Sequence, residues 1–228
     1  MRTTTTTAVL TSVLATVLVA GCGSSGGGSR SADEMLEDAN AAMRALKSVR
    51  IDSTSTAAKG GTVTVRLVTD LKSRCTARST FSQGGSIEQI RVGETDYVRP
   101  DRAYLENRRP GGLTGEQKLW VRTSADAARP GDGLSSCTRP FASFGTAEKG
   151  RSTRVGGREA VELTVRDEAA QGGRYTFSVA TEGEPHLLKV VYEGADYDTS
   201  TSFAGFDEPL DVRAPKPSEV LDGQDAPR

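Results

Sequence analysis

Three cysteines, one histidine and an ample supply of carboxylates are the residues of this 228-residue chain that could do covalent, ligand or acid–base chemistry. Cys22, Cys75 and Cys137 form no C-x-x-C pair. Together with His186 they leave little material for a zinc centre, which takes roughly three or four N/S ligands. His186 follows Pro185 at the head of an expected strand. As a general base it would need a nucleophile within reach, whereas as an edge residue it needs no partner, and the second reading is the simpler one. Asp96, Asp101 and Glu106 gather in sequence around Tyr97 and Tyr104, as the rim of a ligand site or as a solvated edge. Trp120, Phe141 and Phe144 read either as a pocket mouth or as a core cluster. The phrases S-x-x-K, G-x-x-x-x-G-K-[ST] and H-E-x-x-H do not occur,. The reading is therefore of a non-enzyme without cofactor or metal.

Cys22 has a different context from the other two cysteines. Met1-Arg2 and a threonine run precede an uncharged stretch, Ala8 to Ala20, that ends in Val19-Ala20-Gly21-Cys22. That stretch is shorter than the about 20 apolar residues a membrane span requires, and it fits a secretory h-region. Small residues before the Cys match the bacterial lipobox, in which the Cys is diacylated and becomes the mature N-terminus. Residues 1–21 are thus expected to be a lipoprotein signal peptide. Residues 22–30 would be the lipidated Cys22 and a flexible Gly/Ser tether. Two acyl chains suffice for stable anchoring, so the expected location is outside the cytoplasm, on the outer face of the cell membrane. In an exported chain Cys75 and Cys137 read as one disulfide, the alternative being two unpaired thiols. A bridge across this loop would stabilise the fold by about 4 kcal/mol in the chain-entropy model.

Composition sets further limits. Lys+Arg number 29 against 30 Asp+Glu, for a formal net charge of −1. There is no basic excess to neutralise phosphates, so nucleic acid is not an expected partner. Aromatic residues make up 5% of the chain, so the core must come largely from Val, Leu, Ala and Ile and should be thin,.

The elements that must position these residues follow from periodicity. Ser31-Ala32-Asp33-Glu34 is a capping box, followed by Met35, Leu36, Ala39, Met43 and Leu46 at helical spacing,. A helix is expected from about Ala32 to Lys47. From Val49 the period changes to two, with strands expected near 49–56, 62–71, 74–83, 86–92, 95–99, 102–105, 118–123, 152–155, 158–167, 174–180, 186–193 and 198–206,. Leu134 to Phe144 is expected to hold a short helix. The fold class is α+β: one domain over residues 31–222, with a loose tail at 223–228. Its large antiparallel sheet of about ten to twelve strands must curve around its own helices, because too little helix exists to cover a flat sheet of that size. One N-terminal amphipathic helix and one or two more would lie in the concave face of this half-barrel.

The order of lipobox, tether, capped helix and long meander resembles actinobacterial lipoproteins of the LppX/LprG group and, more distantly, LolA-like carriers. Thr153 to Leu163, with its Val155-Gly156-Gly157 turn, resembles the hairpin after the central helical segment of that group. Glu184 to Val190 resembles the strand entry that follows, and Phe203 to Val220 the closing strand with its proline-rich exit. The resemblance implies a half-barrel with an apolar cavity between sheet and helices that takes acyl chains. Two features depart from the group: few large apolar residues, and a Cys75–Cys137 bridge that would pin the helical segment to the sheet.

Val63, Val65, Leu67, Val161, Leu163, Val165, Tyr175 and Phe177 are the candidate lining residues, since alternation sends them to one face,. As cavity walls they would bind a lipid or lipidated glycan by apolar burial, at about 25 cal/mol per Å². As plain core they would pack the helices, and the chain would then serve as an envelope sensor or interaction protein. Both uses require the same residues.

Overall fold

The computed structural model describes residues 30–108, 118–127, 133–167 and 172–222. The expected signal peptide, Cys22, the tether up to residue 29 and the tail at 223–228 lie outside the described residues.

Helix α1 spans Ala32–Ala45. Its capping box closes both ways: the Ser31 hydroxyl accepts the Glu34 amide at 3.2 Å, and the Ser31 amide donates to the Glu34 carboxylate at 2.8 Å. Two orphan amides of the first turn are thereby satisfied. The helix buries Ala32, Leu36, Ala39, Asn40 and Met43, a stripe at the spacing of one helical face,.

Six strands then form a meander: β1 (Val49–Ala57), β2 (Thr62–Thr69), β3 (Arg74–Phe81), β4 (Ser86–Val92), β5 (Thr95–Pro100) and β6 (Trp120–Ser124). Five more form a second meander: β7 (Ala147–Val155), β8 (Arg158–Asp167), β9 (Gly173–Ala180), β10 (Leu187–Glu193) and β11 (Tyr197–Ala204). Antiparallel pairing of β1 with β11 joins the two, and β12 (Val220–Asp222) adds in parallel to β6. The result is one 12-stranded sheet in the order β12-β6-β5-β4-β3-β2-β1-β11-β10-β9-β8-β7. The sheet is open and curved, an α+β half-barrel. Its two edges are blunted as exposed edges usually are. β12 is three residues long, and β7 carries exposed Glu148, Lys149, Arg151 and Arg154 with a register shift between Lys149 and Ser152. Gly156 and Gly157, with φ of 57° and 83°, make the tight β7–β8 turn that two positive-φ residues permit,.

Two expectations are corrected. Arg102–Arg108 is a helix, α2, and not a strand. The Asp101 carboxylate caps it by accepting the Tyr104 amide at 2.8 Å,. Leu134 to Phe144 is mostly irregular: only a 3-10 turn, Gly133–Ser136, is helical. β12 was not expected at all, since Pro209, Pro215 and Pro217 suggest an end to regular structure.

The core lies on the concave side. Leu36, Met43, Val49, Ile51, Leu67, Cys75, Leu134, Cys137, Leu163, Val165, Val179, Leu187 and Phe203 belong to one buried cluster between the sheet and the chain laid across it. No helix among the described residues is long and apolar enough to cross a membrane.

Candidate functional site: the concave face

Strand register lays out the floor of the concave face row by row. One row runs Leu163, Phe177, Val190, Thr201, Ser53, Val65 and Ser79 from β8 to β3. The next runs Val165, Tyr175, Tyr192, Thr199, Ser55, Val63 and Phe81. The floor is therefore apolar and aromatic over β8–β10, and small and hydroxylic over β11 and β1. The hydroxyls pair across the strands, Ser53 with Thr201 at 3.0 Å and Ser55 with Thr199 at 2.9 Å. Such pairs let polar side chains stand in a half-buried wall without a desolvation penalty.

Three pieces of chain lie over this floor. Helix α1 packs on β7, β9 and β10, and the 3-10 turn packs on β2, β3 and β4. Between them the segment from Cys137 to Gly145 forms a strap. Its first end is fixed by the Cys75–Cys137 disulfide and by the buried Thr69 hydroxyl, which donates to the Cys137 carbonyl at 2.7 Å. Its other end is tied to α1. Arg44 donates to the Phe141 carbonyl at 2.7 Å, Asn40 to the Ser143 hydroxyl at 3.0 Å, and the Ala147 amide to Asp33 at 2.7 Å. The turn approaches the sheet closely because residue 133 is glycine: a Cβ there would stand 2.5 Å from the Gln89 side-chain oxygen and 2.9 Å from the Ser79 hydroxyl.

The Thr69–Arg74 connection supports the same end. Burial pushes the Asp70 carboxyl up, but the backbone amides of Arg74, Lys72 and Ser73 more than offset this and hold it below the usual carboxylate range,. This connection places Leu71 at a φ of 60°, with the Leu71 amide bound to the Thr69 hydroxyl.

These layers leave a cavity of about 170 Å³ over β9–β11, bounded by Arg139, Tyr175, Val190, Tyr192, Tyr197, Thr199 and Thr201. Its mouth is aromatic. Tyr197, 48% exposed, lies 5.1 Å from the Tyr192 ring, and Phe144, 40% exposed, packs edge-on to Tyr175 at 4.9 Å. Among the described residues these two are the exposed large hydrophobic side chains.

The expected lining residues divide in this arrangement. Tyr175 borders the cavity. Phe177 is buried beside it, stacked on Tyr175 at 6.0 Å. Val161, Leu163, Val165 and Leu67 are fully covered in the packed core, and Val63 and Val65 are half-buried. The Asp96–Asp101–Glu106 group is not brought together. Asp96 makes a buried two-point bond to Arg91, at 2.7 and 2.8 Å; Asp101 caps α2; and Glu106 pairs with Arg102 at 2.5 Å. Trp120 parts from the two phenylalanines. It lies on the convex side under the Arg99 guanidinium, 4.4 Å from the ring centre, whereas Phe141 packs on Phe203 inside. His186 stacks on Phe206 at 4.2 Å, and no group of three or more His, Cys, Asp or Glu able to hold a metal occurs among the described residues.

Sequence reasoning missed Arg139, Val190, Tyr192, Tyr197, Thr199 and Thr201 as cavity residues. Register with the expected Phe177 and Tyr175 was the signal for Val190 and Tyr192, and β11 alternation for Thr199 and Thr201. Nothing local marked Arg139, which stands in the strap two residues after the disulfide.

No family model matches the chain, and no curated protein sequence matches it. Solved structures do. The lipoprotein LppX of Mycobacterium tuberculosis superposes with a TM-score of 0.57 at 13% identity, over 80% of this chain and 98% of that one. LprF of Mycobacterium bovis gives 0.57 at 14% identity, over 81% and 96%. The fold is that of LppX and LprF. At such identity the likeness extends to architecture and not to activity. A LolA-superfamily protein of Nitrosomonas europaea aligns over 83% of this chain with a TM-score of 0.30, too loose to argue from.

Proposed function

We propose that this chain is an exported lipoprotein, held at the outer face of the cell membrane through Cys22, that binds a lipid or lipidated glycan on the concave face of its sheet. One observation carries the reading. Of the two exposed large hydrophobic side chains among the described residues, Tyr197 borders the concave cavity and Phe144 packs on Tyr175, which borders it too. Exposed apolar groups gathered at a concavity are what an amphiphile-binding surface requires. The cavity of about 170 Å³ is smaller than the roughly 300–1,000 Å³ of drug-sized sites, so it accepts one end of such a ligand,. The remainder lies along the strap and the aromatic mouth. A Gly/Ser tether after Cys22 keeps that mouth within reach of the donor membrane.

The test is uptake of a fluorescent phospholipid from vesicles by the full chain. Saturable uptake is expected, falling about tenfold when Phe144→Ser and Tyr197→Ser are combined. Absence of uptake, or uptake indifferent to both substitutions, contradicts the reading.

A further inference from the structure

Arg139 is the charged side chain among the residues that line the concave cavity; the rest are tyrosines, threonines and Val190. Its guanidinium carbon lies 5.7 Å from the centre of the Phe203 ring, deep on the side of the floor. It has no ion pair and no hydrogen bond among the described residues, and no carboxylate borders the cavity. Burial pushes its pKa down, with only the Tyr175 phenol opposing. A guanidinium nevertheless stays protonated in a protein, and it carries five N–H donors in a planar fork. Unmet donors on a half-buried cation are costly.

The same concave face treats its other inward arginine differently. Arg91 is 10% exposed and is answered by two oxygens of Asp96, which is 2% exposed. Nearer the sheet edge, Glu88 answers both Arg78 and Arg99 on the convex side. Arg139 differs from these three in having no carboxylate on the cavity it borders. Around it stand the hydroxyl groups of Tyr197, Thr199 and Thr201, the two threonines being paired with Ser55 and Ser53. A planar guanidinium fork bordered by hydroxyl groups is suited to an oxyanion.

We propose that Arg139 is the clamp of an anion subsite at the inner end of the cavity, receiving a phosphate or carboxylate group by paired N–H donation. This deepens the lipid-binding reading and rests on it for what the anion is attached to: an acidic headgroup, with the apolar part leaving past Phe144 and Tyr197. The disulfide has a role in the subsite, since it fixes the strap residue two positions before Arg139.

The experiment is calorimetric titration of the full chain with three probes: octyl phosphate, 1-octanol and inorganic phosphate. In the wild type, octyl phosphate is expected to bind about tenfold or more tightly than 1-octanol, and inorganic phosphate to compete only weakly. Arg139→Gln is expected to remove that advantage while melting within a few degrees of the wild type, which shows that the variant is folded; Arg139→Lys keeps part of it. Equal affinity of the wild type for octyl phosphate and 1-octanol overturns the clamp without reference to any variant, and leaves the lipid-binding reading standing. Octyl phosphate binding undiminished in Arg139→Gln overturns it too. Inorganic phosphate binding as tightly as octyl phosphate, with both dependent on Arg139, upholds the anion site and overturns the lipid reading.

Discussion

His186 is the single histidine of the chain, and its position rather than its chemistry decides what it does. Its ring stacks on Phe206, the Arg158 guanidinium lies 5.5 Å from the same ring, and its Nδ1 is buried without a hydrogen-bond partner. Burial first, and then Arg158, push its pKa below the ordinary 6.5, while Glu184 and Asp207 pull the other way. A histidine held neutral in the fold contributes fully above its ordinary value. As pH falls below that value the unfolded chain takes up the proton first, so stability is lost. Melting temperatures compared between about pH 7.5 and 5.5 should fall more in the wild type than in His186→Phe. Equal slopes in the two proteins would remove His186 as the cause. At this scale the sequence was partly legible. Alternation placed Val161, Leu163 and Val165 on the inner face of one strand, and they are there. Whether they wall a cavity or fill a core could not be read, because both uses require the same residues. Helix α1 and its neighbours cover them fully, and the cavity lies farther along, over β9–β11.

Among the elements, the strap has the greatest consequence. It is neither helix nor strand, and it owes its course to one covalent bond, the Thr69 hydroxyl and the hydrogen bonds from α1. A double substitution, Cys75→Ser with Cys137→Ser, should destabilise the protein by about 4 kcal/mol in urea, since the bridge spans 62 residues,. Reductant should lower the wild type to the same midpoint, and an unchanged midpoint would show that the bridge does not constrain the strap. Helix α1 was legible because Ser31 and Glu34 announce its start and a stripe of small apolar residues continues it. Helix α2 was not. Its seven residues show no apolar period, and its cap, Asp101, acts through a single bond to the Tyr104 amide. β12 escaped because its pairing is with Trp120, Val121 and Arg122, far away in sequence and parallel,.

At the scale of the whole molecule, a balanced charge and few aromatics constrained the class of protein, and the run of two-residue alternation required a large sheet. Curvature followed from the shortage of helix. What sequence could not supply was the closure of one meander on the other through β1 and β11, a pairing of strands at opposite ends of the domain. That closure puts Ser and Thr in the middle of the concave wall and so makes its centre hydroxylic. The disulfide-tied strap leaves a cavity of about 170 Å³ with an aromatic border over β9–β11. The account then rests on whether the protein holds a ligand there. Native mass spectrometry of the full chain from its own host, compared with the mass after denaturation, measures this directly. A noncovalent lipid or lipidated glycan at one per chain, lost on denaturation, is the predicted result; a native mass equal to the denatured mass would contradict the account.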